Sequence, residues 1–496
     1  MRFPIKLVVS WLYWMVVGFW SLVEIFDVIF THILLAPPFV TLKDGTVMIV
    51  FSGMLLAWTF SRRKMILFVI LTGLFLIDQV PDSIILLIGV LALMVRHFKH
   101  SMIKRQTPSS IVLGHRPYLH WPVQIKSDDR FMHMHILGPT GSGKSSSILM
   151  PLIRQDLESG RGITLIEPKG DLSYTAYQTA LACHATLVYF DPHRPDCAHY
   201  NPLNGPADVA AEGLSWALNQ ITEAGHPFYA VTSRVLLMYS VMAVKESLGD
   251  DADLRHVLDF LRSESFREDT LSRTEDLRVL SYFHDQIKQI GARTAQEQRQ
   301  GLLNRLELLL VNPDVRRVLS GPGDFNWDTV LQENISVICP LSLARLGESA
   351  KVLGTLLWHG LAMATYRRLK ARSVNPYFLY LDEFHQYVTP DLGDYLALAR
   401  GYSVGMILAH QDLGQLSAPL KEALLANARQ RVIFGGIHAD DEAVFTRLAK
   451  PYALPRDLRY LPRGQAYVQL TQKGRLKPPL PLQLAHISLH EEMNPV

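Results

Sequence analysis

Gly138-Pro139-Thr140-Gly141-Ser142-Gly143-Lys144-Ser145 matches G-x-x-x-x-G-K-[ST], the spacing at which backbone N–H groups close around the phosphates of a nucleoside triphosphate. Glycines let the main chain approach a phosphate, and a helix expected to begin near Lys144 turns its positive dipole end toward the same charge. Lys144 is expected to reach the terminal phosphates of ATP and Ser145 to hold Mg²⁺, with Ser146 counted in the nucleotide-binding set. The apolar stretch Met134 to Leu137 before the loop and Ile148 to Met150 after it supply the strand and helix this loop requires. A bare Gly/Ser-rich turn would need neither.

The second chemical element is Phe378-Leu379-Tyr380-Leu381-Asp382-Glu383-Phe384, an apolar strand ending in two carboxylates. At the C-terminal end of a parallel strand such carboxylates face the ligand crevice. Asp382 is then a second Mg²⁺ holder, through water, and Glu383 polarises the water that attacks the γ-phosphate. Without the phosphate loop the pair would read as a plain strand end or helix cap. A further strand, Val404 to Ala409, ends in His410-Gln411-Asp412 and brings Gln411 to the same edge, where it would sense the γ-phosphate or orient water. His410 reads as structural. Phosphoryl transfer also needs a cation for the transition state, often from a neighbouring molecule. Arg400, after the helix-like segment Leu392 to Ala399, is the candidate for that trans-acting finger; Arg429 and Arg431 are reserves, and a surface salt bridge is the plain alternative for Arg400.

The elements that must hold these residues follow from periodicity. From Met132 onward, short apolar runs alternate with helical patterns, as in an α/β domain with a largely parallel sheet. Strands are expected at Met134 to Leu137, Gly162 to Glu167, Thr186 to Phe190, Ile335 to Cys339, Phe378 to Leu381, Gly405 to Ala409, Arg431 to Phe434 and Gln465 to Leu470. Between them, Val231 to Leu248, Leu254 to Leu261, Leu277 to Ile290 and Gln296 to Val311 repeat apolar residues at helical spacing. The expected organisation is a membrane anchor over 1–105, a first part of the nucleotide-binding domain over 106–204, an inserted all-helical domain over 205–322, the second part over 323–475 and a short tail over 476–496.

The anchor rests on the apolar runs Leu7 to Phe30, Thr46 to Phe60, Met65 to Ile77 and Ile84 to Val95. Basic residues alternate with the runs, so both ends of the region are expected on the cytoplasmic side, and the last two runs, of 13 and 12 residues, leave two or four spans open. Glu24 and Asp27, three apart, would face other helices or headgroups. Ten Lys/Arg against five Asp/Glu in residues 1–105 leave about −2 of the total +3 for the rest of the chain. Bulk charge therefore does not advertise nucleic-acid binding. A local lining from Arg293, Arg299, Arg305, Arg316 or Arg317 would have to supply it, and a solvated helix face is the preferred reading of those residues. Cys183, Cys197 and Cys339 form no CxxC pair, and the Cys/His group from Cys183 to His199 fits no zinc spacing.

Taken in order, Gly138 to Ser145, Ile166-Glu167-Pro168-Lys169-Gly170-Asp171, Tyr189-Phe190-Asp191-Pro192 with Asn201-Pro202-Leu203, Phe228-Tyr229-Ala230, Ser233-Arg234-Val235-Leu236, Leu381 to Phe384 and Ala409 to Gln411 carry a family resemblance. The chain resembles the coupling-protein ATPases of type IV secretion and bacterial conjugation, the TraG/TraD/TrwB group within the HerA-FtsK class, over about residues 130–475. The resemblance implies a RecA-like motor interrupted by an all-helical domain. It also implies a homo-hexamer on the bacterial inner membrane with ATP sites between subunits, and work on a relaxase-bound single DNA strand or protein effectors for a secretion channel. Glu167 departs from the Asp usual before Pro-Lys-Gly, and the short tail points to recognition by the helical domain or by adaptor proteins. The leading expectation is a DNA-translocating ATPase. A nucleotide-switched receptor for protein effectors is the alternative, and a double-strand pump of the FtsK type fits less well.

Overall fold

The structure is a computed structural model that describes residues 110–117, 120–219, 227–368, 375–388, 392–452 and 458–489. The anchor expected over 1–105 lies outside the described residues, and no described helix is long and apolar enough to cross a membrane.

The sheet strands in chain order are β1 (Ser110–His115), β2 (Pro122–Lys126), β3 (Met134–Leu137), β4 (Gly162–Glu167), β5 (Leu187–Tyr189), β6 (Ser336–Pro340), β7 (Tyr377–Asp382), β8 (Val404–His410), β9 (Gln430–Phe434) and β10 (Gln465–Gln469). A small hairpin, β11 (Thr471–Gln472) and β12 (Arg475–Leu476), follows, then β13 (Leu480–Gln483). Eleven strands form one sheet in the order β2-β1-β13-β10-β9-β3-β8-β7-β4-β6-β5. The seven from β9 to β5 are parallel, whereas β10, β13, β1 and β2 add an antiparallel flank, so the sheet is mixed.

Six of the seven parallel strands are buried from end to end, as strands covered on both faces must be, and β5 at the sheet's edge is half-buried. On β7, Tyr377, Leu379 and Leu381 enter one core, and Phe378 and Tyr380 enter the other. The second face is covered by α1 (Met150–Glu158) and α2 (Asp171–Ala182), through residues such as Leu152, Ile153, Leu172 and Ala176. The first face carries α3 (Ala207–Asn219), α4 (Pro227–Leu248), α5 (Leu254–Arg262), α6 (Ala292–Leu310) and α7 (Glu348–Arg367), with Trp358 of α7 fully buried. No described residue between β5 and β6 is in a strand. The helices of that stretch share their apolar core with the sheet, and the described residues belong to one compact unit.

Five strands escaped the sequence pattern, three of the large sheet and the two of the small hairpin. β1 and β2 are short and half-exposed, which erases a clean alternation. β13 lies in the stretch read as a tail, because Pro479 and Pro481 argue against a strand; Tyr467 nevertheless pairs with Pro481 on an antiparallel ladder. The helix read over Leu277 to Ile290 is broken into short successive turns, Leu277–Ser281, Tyr282–Gln286 and Ile287–Gln289.

Candidate functional site

Register brings the candidate residues to one edge. Leu137 at the end of β3 pairs with His410, Ala409 with Asp382, and Leu381 with Ile166, so β3, β8, β7 and β4 all end at one level. The loop after β3 is tied to this edge by the Gly138 N–H, which donates to the His410 carbonyl at 3.3 Å. A side chain at Gly138 would meet Phe434 Cβ at 2.7 Å and Ser142 Oγ at 2.8 Å, so only glycine fits. Gly141 and Gly143, at φ 78° and 102°, take the left-handed conformation that turns the loop into its helix. That helix opens at Lys144 with a widened turn, Lys144–Leu149, and continues as α1.

Lys144 is buried, and its Nζ donates to the carbonyls of Gly138 at 2.5 Å and Pro139 at 3.4 Å. It stands 4.0 Å from Glu383 Oε1, too far for a hydrogen bond. Ser145 Oγ donates to Asp382 Oδ2 at 3.1 Å, and Gln411 Nε2 donates to Glu383 Oε1 at 3.2 Å. The sequence thus names three separate segments that the fold joins through these contacts. Asp382 and Glu383 are both buried, and Glu383 holds a left-handed backbone at φ 49°. That conformation costs about 1–2 kcal/mol for a residue with a Cβ, which makes Glu383 a strained as well as a buried acid.

Electrostatics follow from burial. Desolvation first, and then the neighbouring Glu383 carboxylate, push the Asp382 carboxyl up to about 6, against the pull of Lys144. Desolvation lowers the Lys144 ammonium, with Glu383 and Asp382 opposing it. Several buried polar atoms find no hydrogen-bond partner here: Glu383 Oε2, with His385 Nδ1 at 3.8 Å, Ser142 Oγ, and the Tyr387 hydroxyl, which burial first and then Glu167, Asp382 and Glu383 push up. Unsatisfied buried acceptors and donors are rare in native folds, and a cluster of them beside a phosphate loop is what a polar ligand with its waters would complete. Ser145 and Asp382 present hard oxygen donors side by side, the type that suits Mg²⁺.

His410 is fully buried beneath this edge, its Nε2 lying 2.7 Å from the Nε2 of His135. Burial pushes His410 down to about 3, so the pair is neutral and shares one hydrogen bond, a structural role. Arg400 is not brought to the group. It sits on the turn Ala399–Tyr402 before β8, at the opposite edge of the sheet, and the seven residues of β8 place that edge roughly 23 Å away at about 3.3 Å per residue. Its side chain is exposed and makes no ion pair among the described residues. Of the reserves, Arg431 is buried and holds Gln469 Oε1 at 3.1 Å and the Leu425 carbonyl at 3.0 Å. Arg316 and Arg317 likewise bind carbonyls, of Leu310 and of Pro192 and Pro195, while Arg293 pairs in solvent with Glu297.

Two features had no signal in the sequence. Glu167 turns its carboxylate back onto the main chain, accepting from the N–H groups of Lys169, Gly170 and Ser173 at 2.8, 2.6 and 3.1 Å. Behind the site, Arg130 clamps Asp156 of α1 through two bonds of 2.6 and 2.7 Å, with Arg161 and Tyr380 completing the group. A separate cavity of 490 Å³ under α3 and α7, lined by Tyr200, Trp327 and His359 among others, contains none of these residues.

A phosphate loop on β3 facing a buried Asp-Glu pair on β7 of a large mixed sheet defines an α/β nucleotide-binding fold. Residues 99–444 match the family described as type IV secretory system conjugative DNA transfer, and the chain belongs to that family. Comparison with the curated proteins gives no match. Among solved structures, the chain is similar to the plasmid coupling protein TrwB in complex with ADP and Mg²⁺, at 16% identity and a TM-score of 0.57 over 76% of this chain and 90% of that one. It is similar to TrwB with a non-hydrolysable ATP analogue at 15% identity and a TM-score of 0.58, over 80% and 93% of the two chains. VirB4 of Thermoanaerobacter pseudethanolicus matches at 14% identity and a TM-score of 0.52, over 77% and 98%. At such identities the likeness establishes the fold.

Proposed function

We propose that this chain is the ATP-driven coupling motor of a conjugative type IV secretion system, hydrolysing ATP to move a relaxase-bound single DNA strand toward the channel. The reading is carried by one observation: Lys144, Ser145, Asp382, Glu383 and Gln411, from three separate segments, meet at one sheet edge in a member of a conjugative DNA-transfer family. Backbone N–H groups of Gly138 to Ser146 cradle the phosphates, and Lys144 swings from its loop carbonyls to the terminal phosphates. Mg²⁺ held by Ser145 and, through water, by Asp382 would neutralise phosphate charge. Glu383 polarises the attacking water, and Gln411, bonded to it, fixes that carboxylate's orientation.

Residues 106–204 and 323–475 form the RecA-like motor, and 205–322 act as an inserted all-helical domain. Residues 1–105 anchor it in the inner membrane as two or four spans. The subunits assemble as a homo-hexamer with ATP between neighbours. Arg400 reaches the neighbour's nucleotide as a finger, which agrees with its unpaired exposure on the edge opposite its own loop. Channel components and adaptor proteins complete the partners.

The test is nucleotide hydrolysis by the full chain in detergent, with and without single-stranded DNA, beside Lys144→Ala and Arg400→Ala. DNA-stimulated turnover, lost in both variants, is expected. Turnover indifferent to DNA would favour a docking switch for protein effectors, and full activity in Arg400→Ala would remove that residue from the site.

A further inference from the structure

Lys169 is left over by the functions assigned above, yet its placement is unusual. It follows β4, whose Ile166 pairs with Leu381, so the turn Pro168-Lys169-Gly170 lies next to Asp382 at the level of the phosphate loop. Its side chain is exposed and has no ion pair among the described residues.

The turn that carries it is held on every side. The Glu167 carboxylate takes the N–H groups of Lys169, Gly170 and Ser173. The Glu167 and Pro168 carbonyls accept from Leu341 at 2.9 Å and Leu343 at 3.2 Å, at the exit of β6. Gly170, at φ 112°, makes the bend into α2. Glu167 is fully buried, and desolvation pushes it up to about 7, so holding the turn this way is unfavourable in itself. A solvated surface lysine would need no such support.

We propose that Lys169 is a second nucleotide-binding cation, a positioning residue held by Glu167 so that its ammonium contacts the terminal phosphate from the β4 side, opposite Lys144. The inference rests on the nucleotide-binding reading. The second cation distinguishes a triphosphate from a diphosphate, because only the triphosphate carries charge that far along the edge. Lys144 acts from the loop and touches both.

Binding of a non-hydrolysable ATP analogue and of ADP to the full chain in detergent, with Mg²⁺, tests this. For Lys169→Ala, affinity for the analogue should fall about tenfold, the size of one lost charge-assisted contact, while ADP affinity moves less than about twofold. Lys169→Arg should recover most of the loss, and an unchanged melting midpoint will show that the exposed substitution leaves the fold intact. Equal affinity for the analogue in Lys169→Ala and the parent would overturn the proposal, as would equal losses for analogue and ADP. If the parent binds neither nucleotide and Lys144→Ala matches it, the nucleotide-binding reading falls and takes Lys169 with it; a parent that binds isolates Lys169.

Discussion

Strand β7 contributes to two buried charged clusters that differ in one respect. At Tyr380 it supports Arg130, Asp156 and Arg161, where both Asp156 oxygens are bonded, Arg130 stacks over the Phe378 ring at 3.4 Å, and the Tyr380 hydroxyl bonds Asp156 at 2.5 Å. Two residues further on it presents Asp382 and Glu383, where Lys144 stands off at 4.0 Å and Glu383 Oε2 has no hydrogen bond, with His385 Nδ1 at 3.8 Å. Similar burial thus leaves the two carboxylates unequally satisfied, although Arg130 Nε in the first cluster also lacks a hydrogen bond. A carboxylate group whose bonds close among themselves is a clamp, here between α1, the chain leading into β3, and β7. A group left incomplete is a receptor, since a polar ligand must supply the remaining bonds.

The sharpest way to break this comparison is to remove one acid from each cluster. Asp156→Ala strands Arg130 and Arg161 in the core, and opening such a pair costs about 3–5 kcal/mol. Urea or thermal unfolding should show that loss. Glu383→Gln should act the other way. It removes a buried charge with an oxygen that has no hydrogen bond, so stability should rise by about 1 kcal/mol, within the range such atoms cost, while turnover drops about 10²- to 10³-fold for loss of the proposed general base. Gln411→Ala should lie between, lowering turnover about 10- to 100-fold for one hydrogen bond to a charged group. Should Glu383→Gln prove less stable than the parent and equally active, the incomplete cluster is a clamp as well and the distinction fails.

The receptor was far more legible in the sequence than the clamp. Gly138 to Ser145 and Asp382-Glu383 are contiguous strings whose residue types are dictated by phosphate and water chemistry, so order alone reveals them. The core strands were legible for a related reason: burial on both faces forces unbroken apolar runs such as Phe378 to Leu381. Arg130, Asp156 and Tyr380 come from three segments up to 250 residues apart, and nothing local marks an Asp in an amphipathic helix as the centre of a buried network. Glu167 was read as a departure from a motif, whereas its carboxylate in fact builds the turn that follows it. The antiparallel flank stayed hidden because β13 carries a proline that pattern rules exclude from central strands.

The smallest expected effect probes the same contrast through protons. Desolvation raises Asp382 from 3.8 to about 6, and desolvation together with the charge of Asp171 raises Glu167 from 4.5 to about 7. For both, the folded chain keeps a proton that the unfolded chain has already released. Their contribution to stability is therefore fully present below pH ~4 and is lost as pH rises through 6 and then 7. Without nucleotide and with metal chelated, the melting midpoint of the parent should decline across that window. Glu167→Gln should abolish most of the decline between pH 6 and 7 and make the decline below 6 shallower, where Asp382 alone still contributes. Other groups shift both curves alike, so the difference between parent and variant isolates Glu167. Curves that run parallel through the whole window would mean that three backbone N–H groups compensate Glu167 as fully as two arginines and a tyrosine compensate Asp156, and the turn bearing Lys169 would then belong with the clamp.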